Sequence, residues 1–484
     1  MQSNDFHHST DLGNAKRLVQ YHGDKLRFVK GWGWLVWNGK YWEVSDKRAE
    51  RAAKDIPARI YLECAELPEG SDRTTLAKWA FVSESAARIA ATLTLAKSEI
   101  EVSAQVSDLD QNPWLLNLEN GTLDLKTGRL LPHSPDNLIT KFAGVSYDQE
   151  ATCPHWLKFL DEIMLGKAHL VAFLQRVVGY SLTADTSEQK FWMFYGTGSN
   201  GKSTFLEVIA ALLGSYGKAT DFSTFLKKKD SDSPRNDLAG LVGARLVSAK
   251  ESERGQQLAE SLIKSLTGGD TVAARFLFKE YFEFKPTFKI ILSTNFKPQI
   301  RGADTGMWRR VLLVPFELAV LGDKVDRNLP EKLKAELPGI LNWAIEGCLD
   351  WQRGGLKPPK EVLAATEAYR AEQDALSDFI NAECVLGKAH KQQLKELHAA
   401  YKKFCGDTGD EGMGTRAFSE AFRERGHSVE AGAKNQKFVK GIRLKTEDEK
   451  NADSFSRNNS ENAECTEDVS ADEQSALDNF FSSK

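Results

Sequence analysis

One stretch constrains the fold more than any other: Lys190 to Gly214, KFWMFYGTGSNGKSTFLEVIAALLG. An apolar, strand-forming run rises into a glycine-rich turn carrying a lysine, and an amphipathic stretch follows. Gly196, Gly201, Lys202 and Ser203 satisfy the spacing G-x-x-x-x-G-K-[ST]. Glycines at those positions let backbone N–H groups converge on phosphates, the lysine reaches the outer phosphates, and the serine hydroxyl binds Mg²⁺. The spacing predicts a phosphate-binding loop between a strand and a helix. Around it, apolar runs alternate with helical stretches: FWMFY, ARLVSAK, FKIILSTN and RRVLLVPF. That alternation predicts an α/β sheet.

At 484 residues the chain is too long for one ordinary core, so two to four domains are expected. No apolar run approaches the roughly 20 residues needed to cross a bilayer, and the first ten residues lack the pattern of a signal peptide. Six scattered cysteines without a CxxC pair argue against a zinc ribbon or disulfide framework and for a reducing cytoplasm. The formal charge of −4 hides an asymmetry. The segment after Lys445 is strongly acidic and polar, which leaves the rest net basic and open to a nucleic-acid partner.

Residues 1–185 read as a mixed α+β region of one or two domains. It begins with a hairpin around Asn38-Gly39, expected to use a type I′ turn, whose tryptophans pack a small core. Helical periodicity runs from Lys47 to about Glu101. Short strands return around Asn120-Gly121 and Thr127-Gly128, and helices follow from Trp156 to Thr183. The α/β core spans 186–320, and a helical segment at 321–373 completes it. Residues 374–445 predict a winged-helix-like module, ending in helix, turn and β-hairpin. Residues 446–484 form an acidic tail whose composition predicts disorder.

A phosphate loop alone does not separate a kinase, a switch and a motor. The strand in GARLVSAKESE ends in Glu251 and Glu253, and hydrolysis needs one carboxylate for the Mg²⁺ shell and another to orient water. Spacing does not say which glutamate does which. The strand KIILSTN ends in Asn295, an amide able to position water and sense a terminal phosphate. Arg309 and Arg310 precede the last strand. They are either a salt-bridged pair or a source of transition-state charge for a neighbouring subunit.

In that order, GTGSNGKST, RLVSAKESE, the segment from Leu262 to Pro298 and WRR resemble the superfamily 3 helicases. The likeness is greatest to the C-terminal half of phage, plasmid and poxvirus-type primase-helicases. It covers roughly residues 10–445. The resemblance implies an AAA-like core assembled as a hexameric ring, with ATP between subunits, single-stranded DNA in the pore and 3′-to-5′ movement. The loop Gly196, Thr197, Gly198, Ser199, Asn200, Gly201, Lys202, Ser203 and Thr204 would bind ATP, with Ser203 and Glu251 on Mg²⁺. Glu253 completes the acidic pair, Asn295 is the polar sensor, and Arg309 or Arg310 is the finger acting in trans. A DNA-contacting hairpin falls on ARFLFKEYFEF with Lys279 near its tip, where flanking aromatics suit contact with bases.

Primase-helicases also carry a primase module, and the residues before Asp11 are too few to house one. Asp108 and Asp110 have D-x-D spacing but adjoin short strands and read as a loop. The expectation is an ATP-dependent helicase without primase activity, acting on single-stranded and forked DNA at the nucleoid beside a separate primase. An ATP-regulated initiator that binds origins without processive unwinding is the alternative. In the tail, Gln474, Leu477, Phe480 and Phe481 resemble a sliding-clamp-binding peptide, whose apolar side chains one helical turn would gather.

Overall fold

The chain enters its first helix through Thr10, whose hydroxyl accepts the Gly13 N–H at 3.0 Å. This computed structural model describes residues 7–228, 236–250, 256–276, 281–300, 305–318, 326, 328–408, 412–432 and 436–450. Two units result, Met1–Tyr369 and Arg370–Lys484. After α1 (Asp11–His22) come β1 (Leu26–Val29), β2 (Gly33–Trp37) and β3 (Trp42–Val44). Then follow α2 (Asp46–Glu66), α3 (Ser71–Ser83), α4 (Ala86–Ala96) and the short edge strand β4 (Ser103–Ala104). Buried Ala49, Ala53, Ile56, Ile60 and Cys64 recur at steps of three and four along α2, so they share one face. That face joins Ala15, Leu18, Leu26 and Trp34 in a small core.

The expected hairpin forms, but without a two-residue turn. Trp37 pairs with Trp42, leaving four loop residues in which Asn38 Oδ1 accepts the N–H groups of Lys40 and Tyr41. The asparagine supplies the acceptor that a tighter backbone turn would have supplied. Trp34 and Trp42 are buried, consistent with their expected packing role. Asp108 accepts the Gln105 N–H, while Asp110 accepts the N–H and hydroxyl of Thr140. Asp108 thus closes its own turn, while Asp110 fastens the connecting stretch to Thr140, consistent with a loop. β5 (Leu115–Leu118), β6 (Gly121–Asp124) and β7 (Arg129–Leu131) make a separate antiparallel sheet.

Helices α5 (Pro154–Ile163) and α6 (Ala168–Ser181) lead into β8 (Phe191–Tyr195) and α7 (Lys202–Leu213). Next come β9 (Gly217–Asp221), α8 (Asn236–Ala239), β10 (Leu246–Lys250) and α9 (Glu260–Gly268). The hairpin strands β11 (Val272–Arg275) and β12 (Tyr281–Phe284), then β13 (Lys289–Thr294), α10 (Thr305–Trp308) and β14 (Val311–Pro315), complete the region. The four apolar runs expected as strands lie in one parallel sheet of order β14-β8-β13-β10-β9. β8 and β13 are buried nearly throughout, as parallel strands covered on both faces must be. The edge strand β9 was not expected, because its sequence GKATD is polar and half exposed.

α11 (Leu329–Lys334), α12 (Leu337–Gly354) and α13 (Lys360–Glu372) follow; α12 packs against one face of the sheet, while Tyr369 of α13 joins the core on the other. α12 crosses α6 at two facing glycines. A methyl on Gly347 would overlap the Gln175 carbonyl, and one on Gly179 would overlap the Gly347–Cys348 backbone.

The second unit contains α14 (Ala375–Glu383), β15 (Cys384–Gln393), α15 (Leu394–Thr408), α16 (Thr415–Glu424), β16 (Val429–Ala431) and β17 (Lys437–Leu444). Its antiparallel sheet has the order β15-β17-β16, over a core of Phe379, Leu397, Tyr401, Phe418, Phe422 and Val439. The long strand β15 was not expected. Among the described residues no helix is long and apolar enough to cross a membrane, and Cys64, Cys153, Cys348, Cys384 and Cys405 are buried free thiols.

The helix crossing yields a stability prediction. Gly347→Ala forces backbone apart, so it should cost about 3 kcal/mol, the upper end for overpacking. Gly144→Ala, with open space around it, should change the thermal midpoint little. Equal midpoints for the two variants would contradict the close crossing.

Candidate functional site

β8 ends at Tyr195, and the chain turns through Gly196–Gly201 into α7. Two of the glycines are required by space and conformation. A methyl on Gly196 would overlap Asn200 Nδ2 and the Phe316 carbonyl. Gly201 has φ +83° and lies against Ile163, so a side chain there would be both strained and obstructed. α7 begins directly afterwards with no side-chain cap, so the positive end of its dipole faces the carboxyl ends of the strands.

Lys202 is 5% exposed. Its Nζ donates to Gly196 O at 2.8 Å, Asn200 Oδ1 at 3.0 Å and Asn295 Oδ1 at 3.2 Å. Burial lowers its pKa to about 8. Asn200, itself buried, donates through Nδ2 to Phe316 O at 3.3 Å, just beyond β14. Asn295 directly follows β13, whose Thr294 is in register with Tyr195. The loop lysine and the candidate sensor are thus brought into direct contact. Thr197, Ser199 and Ser203 are exposed, while Gly198 and Thr204 are half-buried.

This arrangement fits a polyphosphate: an uncapped helix N-terminus, an ammonium with neutral partners and an exposed hydroxyl at Ser203. For Mg²⁺, Ser203 provides one oxygen. The carboxylates expected at Glu251 and Glu253 lie outside the described residues, immediately after β10. Among the described residues, no group of three or more His, Cys, Asp or Glu side chains forms a metal cage. Mg²⁺ sites built on one or two carboxylates plus substrate phosphates do not require one.

The two arginines part company. Val311 pairs with Phe191, and Pro315 with Tyr195. Arg309 and Arg310 therefore lie at the opposite end of the sheet from the glycine loop, about 16 Å along the strand. Arg310 is 6% exposed, and its guanidinium donates to Thr267 Oγ1 at 3.0 Å and Gly306 O at 2.6 Å. Arg309 is exposed, and its carbonyl accepts from Lys190 Nζ.

The β11–β12 hairpin forms where expected, with Arg275 opposite Tyr281. Lys279 lies outside the described residues, as do Gln474, Leu477, Phe480 and Phe481. Phe276 and Phe282 stack at 5.5 Å and pack against Trp32 at 6.4 Å, which ties the hairpin base to the N-terminal sheet.

Two buried cations escaped sequence reasoning. Arg245 donates to the carbonyls of Leu182 and Leu115, and its guanidinium lies 4.4 Å from the Tyr216 ring. Lys289 donates to the carbonyls of Thr183 and Asp185 and lies 4.8 Å over Tyr180. Arg245 thus supplies a donor at the C-cap carbonyl of α6, and Lys289 serves the carbonyls of the loop beyond it. Burial pushes Lys289 well below the usual lysine range and also lowers Arg245. The available signal was a charged residue at the threshold of each apolar strand.

Three family models match parts of the chain. Residues 15–165 match "D5 N terminal like", 194–310 a family of unknown function (DUF5906), and 371–468 "Poxvirus D5 protein-like". "Putative helicase L207/L206" of Acanthamoeba polyphaga mimivirus is 30% identical over 295 residues, covering 56% of this chain and 31% of that protein. "Putative helicase 022R" of Frog virus 3 is 30% identical over 210 residues, covering 39% and 21%. "Putative primase C962R" of African swine fever virus (isolate Tick/Malawi/Lil 20-1/1983) is 22% identical, covering 62% and 34%. The chain therefore spans between about a fifth and a third of the length of these relatives. Among solved structures, the apo NrS-1 C-terminal region aligns at TM-score 0.47 and 10% identity, covering 90% of this chain and 99% of that one. By sequence, the chain is similar at both ends to the D5-like proteins, and its relatives in large DNA viruses bear helicase or primase names.

Proposed function

We propose that the chain is the ATPase part of a replicative DNA helicase, an AAA-like motor acting on single-stranded and forked DNA. The observation that carries this reading is Lys202, buried among Gly196, Asn200 and Asn295 at the open N-terminus of α7. In this reading Lys202 and the loop N–H groups hold the β- and γ-phosphates of ATP. Ser203 and one of Glu251 and Glu253 hold Mg²⁺, which when bound neutralises charge on the phosphates. The other glutamate orients the attacking water. Asn295 exchanges its bond to Lys202 for contact with the γ-phosphate. Arg309 acts on a neighbouring subunit's ATP, because it is exposed whereas Arg310 is engaged within its own chain. A hexameric ring and 3′-to-5′ movement are carried by the sequence resemblance.

A second reading, an ATP-regulated initiator without processive unwinding, draws on the second unit. Its α16 presents Arg416, with a side chain 93% exposed, and the exposed Arg423 beside a β-hairpin. A strand-displacement assay separates the two. Unwinding that Lys202→Ala abolishes supports the motor; duplex binding with negligible DNA-stimulated hydrolysis supports the initiator.

Two further outcomes are expected. Phosphate binding favours the charged form of Lys202, whose pKa in the free protein is about 8. Above that pH, ATP binding must take up a proton, so affinity should fall as pH rises, approaching tenfold per unit. Fluorescent-nucleotide titrations from about pH 7 to 9.5 measure this, and Lys202→Arg should flatten the profile. A wild-type profile already flat would contradict the assignment. Arg309→Ala should retain ATP binding and lose turnover by roughly a thousandfold or more, with partial rescue on mixing with Lys202→Ala subunits. Arg310→Ala should instead lower the thermal midpoint through loss of its Thr267 and Gly306 contacts; rescue of Arg310→Ala rather than Arg309→Ala would reverse the assignment.

A further inference from the structure

Asn295 is exposed, and its Oδ1 accepts from Lys202 Nζ at 3.2 Å, so the aim of its amide depends on how the chain after it is held. Phe296 is held locally, its N–H donating to Thr294 Oγ1 at 3.0 Å. The next ties come from farther away. Gln299 O accepts the Leu258 N–H at 3.0 Å, and the Gln299 N–H donates to Gln256 O at 2.7 Å, in the stretch between β10 and α9. The carbonyl of buried Pro298 accepts the hydroxyl of Tyr369, from the last turn of α13.

Tyr369 is itself firmly placed. It is fully buried, and its ring meets Trp308 edge-on at 5.2 Å. Three residues earlier on α13, Thr366 Oγ1 accepts the Leu313 N–H at 2.9 Å, which pins the helix to the edge strand β14. Lys297 joins the same cluster, its Nζ 5.1 Å from the Tyr195 ring and 5.8 Å from the Tyr369 ring. Tyr195 closes β8 and directly precedes Gly196. The start of the glycine loop, the segment after Asn295 and α13 therefore meet around Lys297 and Tyr369. A phenylalanine would fill the same core, but only the hydroxyl reaches the carbonyl three residues beyond Asn295.

We propose that Tyr369 is a positioning residue of the nucleotide site: its hydroxyl holds the Asn295–Pro298 segment so that the Asn295 amide meets the terminal phosphate. The proposal rests on the reading of Asn295 as the γ-phosphate sensor. Tyr369 is buried and acts through Asn295, so its hydroxyl matters for ATP and not for ADP, which lacks that phosphate. A tyrosine that only filled the core would affect both nucleotides alike.

Displacement of a fluorescent nucleotide from the full chain, by a non-hydrolysable ATP analogue and by ADP, tests it, with thermal midpoints measured for each variant. Tyr369→Phe keeps the ring and removes the hydroxyl. It should lower the ratio of ATP-analogue to ADP affinity roughly two- to tenfold, the range of one hydrogen bond, with ADP affinity unchanged. Gly347→Ala, which lowers the midpoint elsewhere, should leave the ratio alone. Asn295→Ala should lower the ratio by itself, and adding Tyr369→Phe should lower it no further. Lys297→Met, a change at a half-buried position, should shift the ratio in the same direction and carries the test should Tyr369→Phe fold poorly. An unchanged ratio in Tyr369→Phe, an equal loss in Gly347→Ala, or an undiminished further loss on top of Asn295→Ala would overturn the proposal and leave the ATPase reading intact. If Asn295→Ala leaves the ratio unchanged, the sensor assignment falls and the proposal with it. Nucleotide binding by Lys202→Ala equal to that of the wild type would remove the phosphate site itself.

Discussion

Lys202 sits out of water with three neutral oxygens around its ammonium group and no carboxylate partner among the described residues. Burying a cation in this way is costly, and its lowered pKa has desolvation as its cause. A carboxylate would have relieved that cost and also cancelled the charge that an anion must find. Neutral acceptors hold the lysine in place while leaving its charge uncompensated. The partners also fix its position relative to the sheet. Gly196 belongs to the loop after β8, Asn295 follows β13, and Asn200 links the lysine to the chain beyond β14 through Phe316. Three neighbouring strands must therefore be in register for one ammonium group to be held.

At the other end of the same sheet, buried cations meet a different demand. Arg245 and Lys289 are enclosed by backbone carbonyls and by the faces of Tyr216 and Tyr180. Their acceptors come from residues 115 and 182–185, so the two side chains fasten the strands and helices before β8 to the starts of β10 and β13. Residues 115–182 and one face of the sheet consequently share a continuous apolar core. The Leu182 carbonyl at the end of α6 and the loop carbonyls beyond it need donors, and the two side chains supply them. Both ends of the sheet use the same chemistry. Whether the charge stays enclosed or faces an open helix terminus separates scaffold from site.

Much of this was legible in sequence because parallel strands covered on both faces must be continuously apolar. Phe191–Phe194 and Ile290–Leu292 announce themselves for that reason. β9 did not, because an edge strand pays little for polar side chains. The Asn38 loop was misjudged in turn type because its backbone acceptor is replaced by a side chain that only coordinates reveal. At the site, the spacing GTGSNGKST marked the loop that turns from β8 into α7 at Lys202, but not that Asn295 and Asn200 would both bond to that lysine. The adjacent arginines were indistinguishable in sequence. One extends into solvent, while the other turns inward to Thr267, a residue 43 positions away in the chain.

That separation bears on assembly. On the proposed reading, the glycine loop needs an arginine that its own chain keeps about 16 Å away at the other end of the sheet. One chain therefore carries the two halves of a shared site on different surfaces. A twofold contact sets residue i against j and j against i, so it joins unlike halves when both lie within its one self-complementary patch. A head-to-tail contact also joins unlike halves, and it repeats until it closes as a ring or continues as a helix. On the proposed reading, the hexameric ring that the resemblance implies is the head-to-tail case, with Arg309 of each subunit at the loop of the next. On that reading turnover is a property of the contact between subunits. Separated chains would retain Lys202 and its phosphate-binding loop, but lack the charge that the transition state requires.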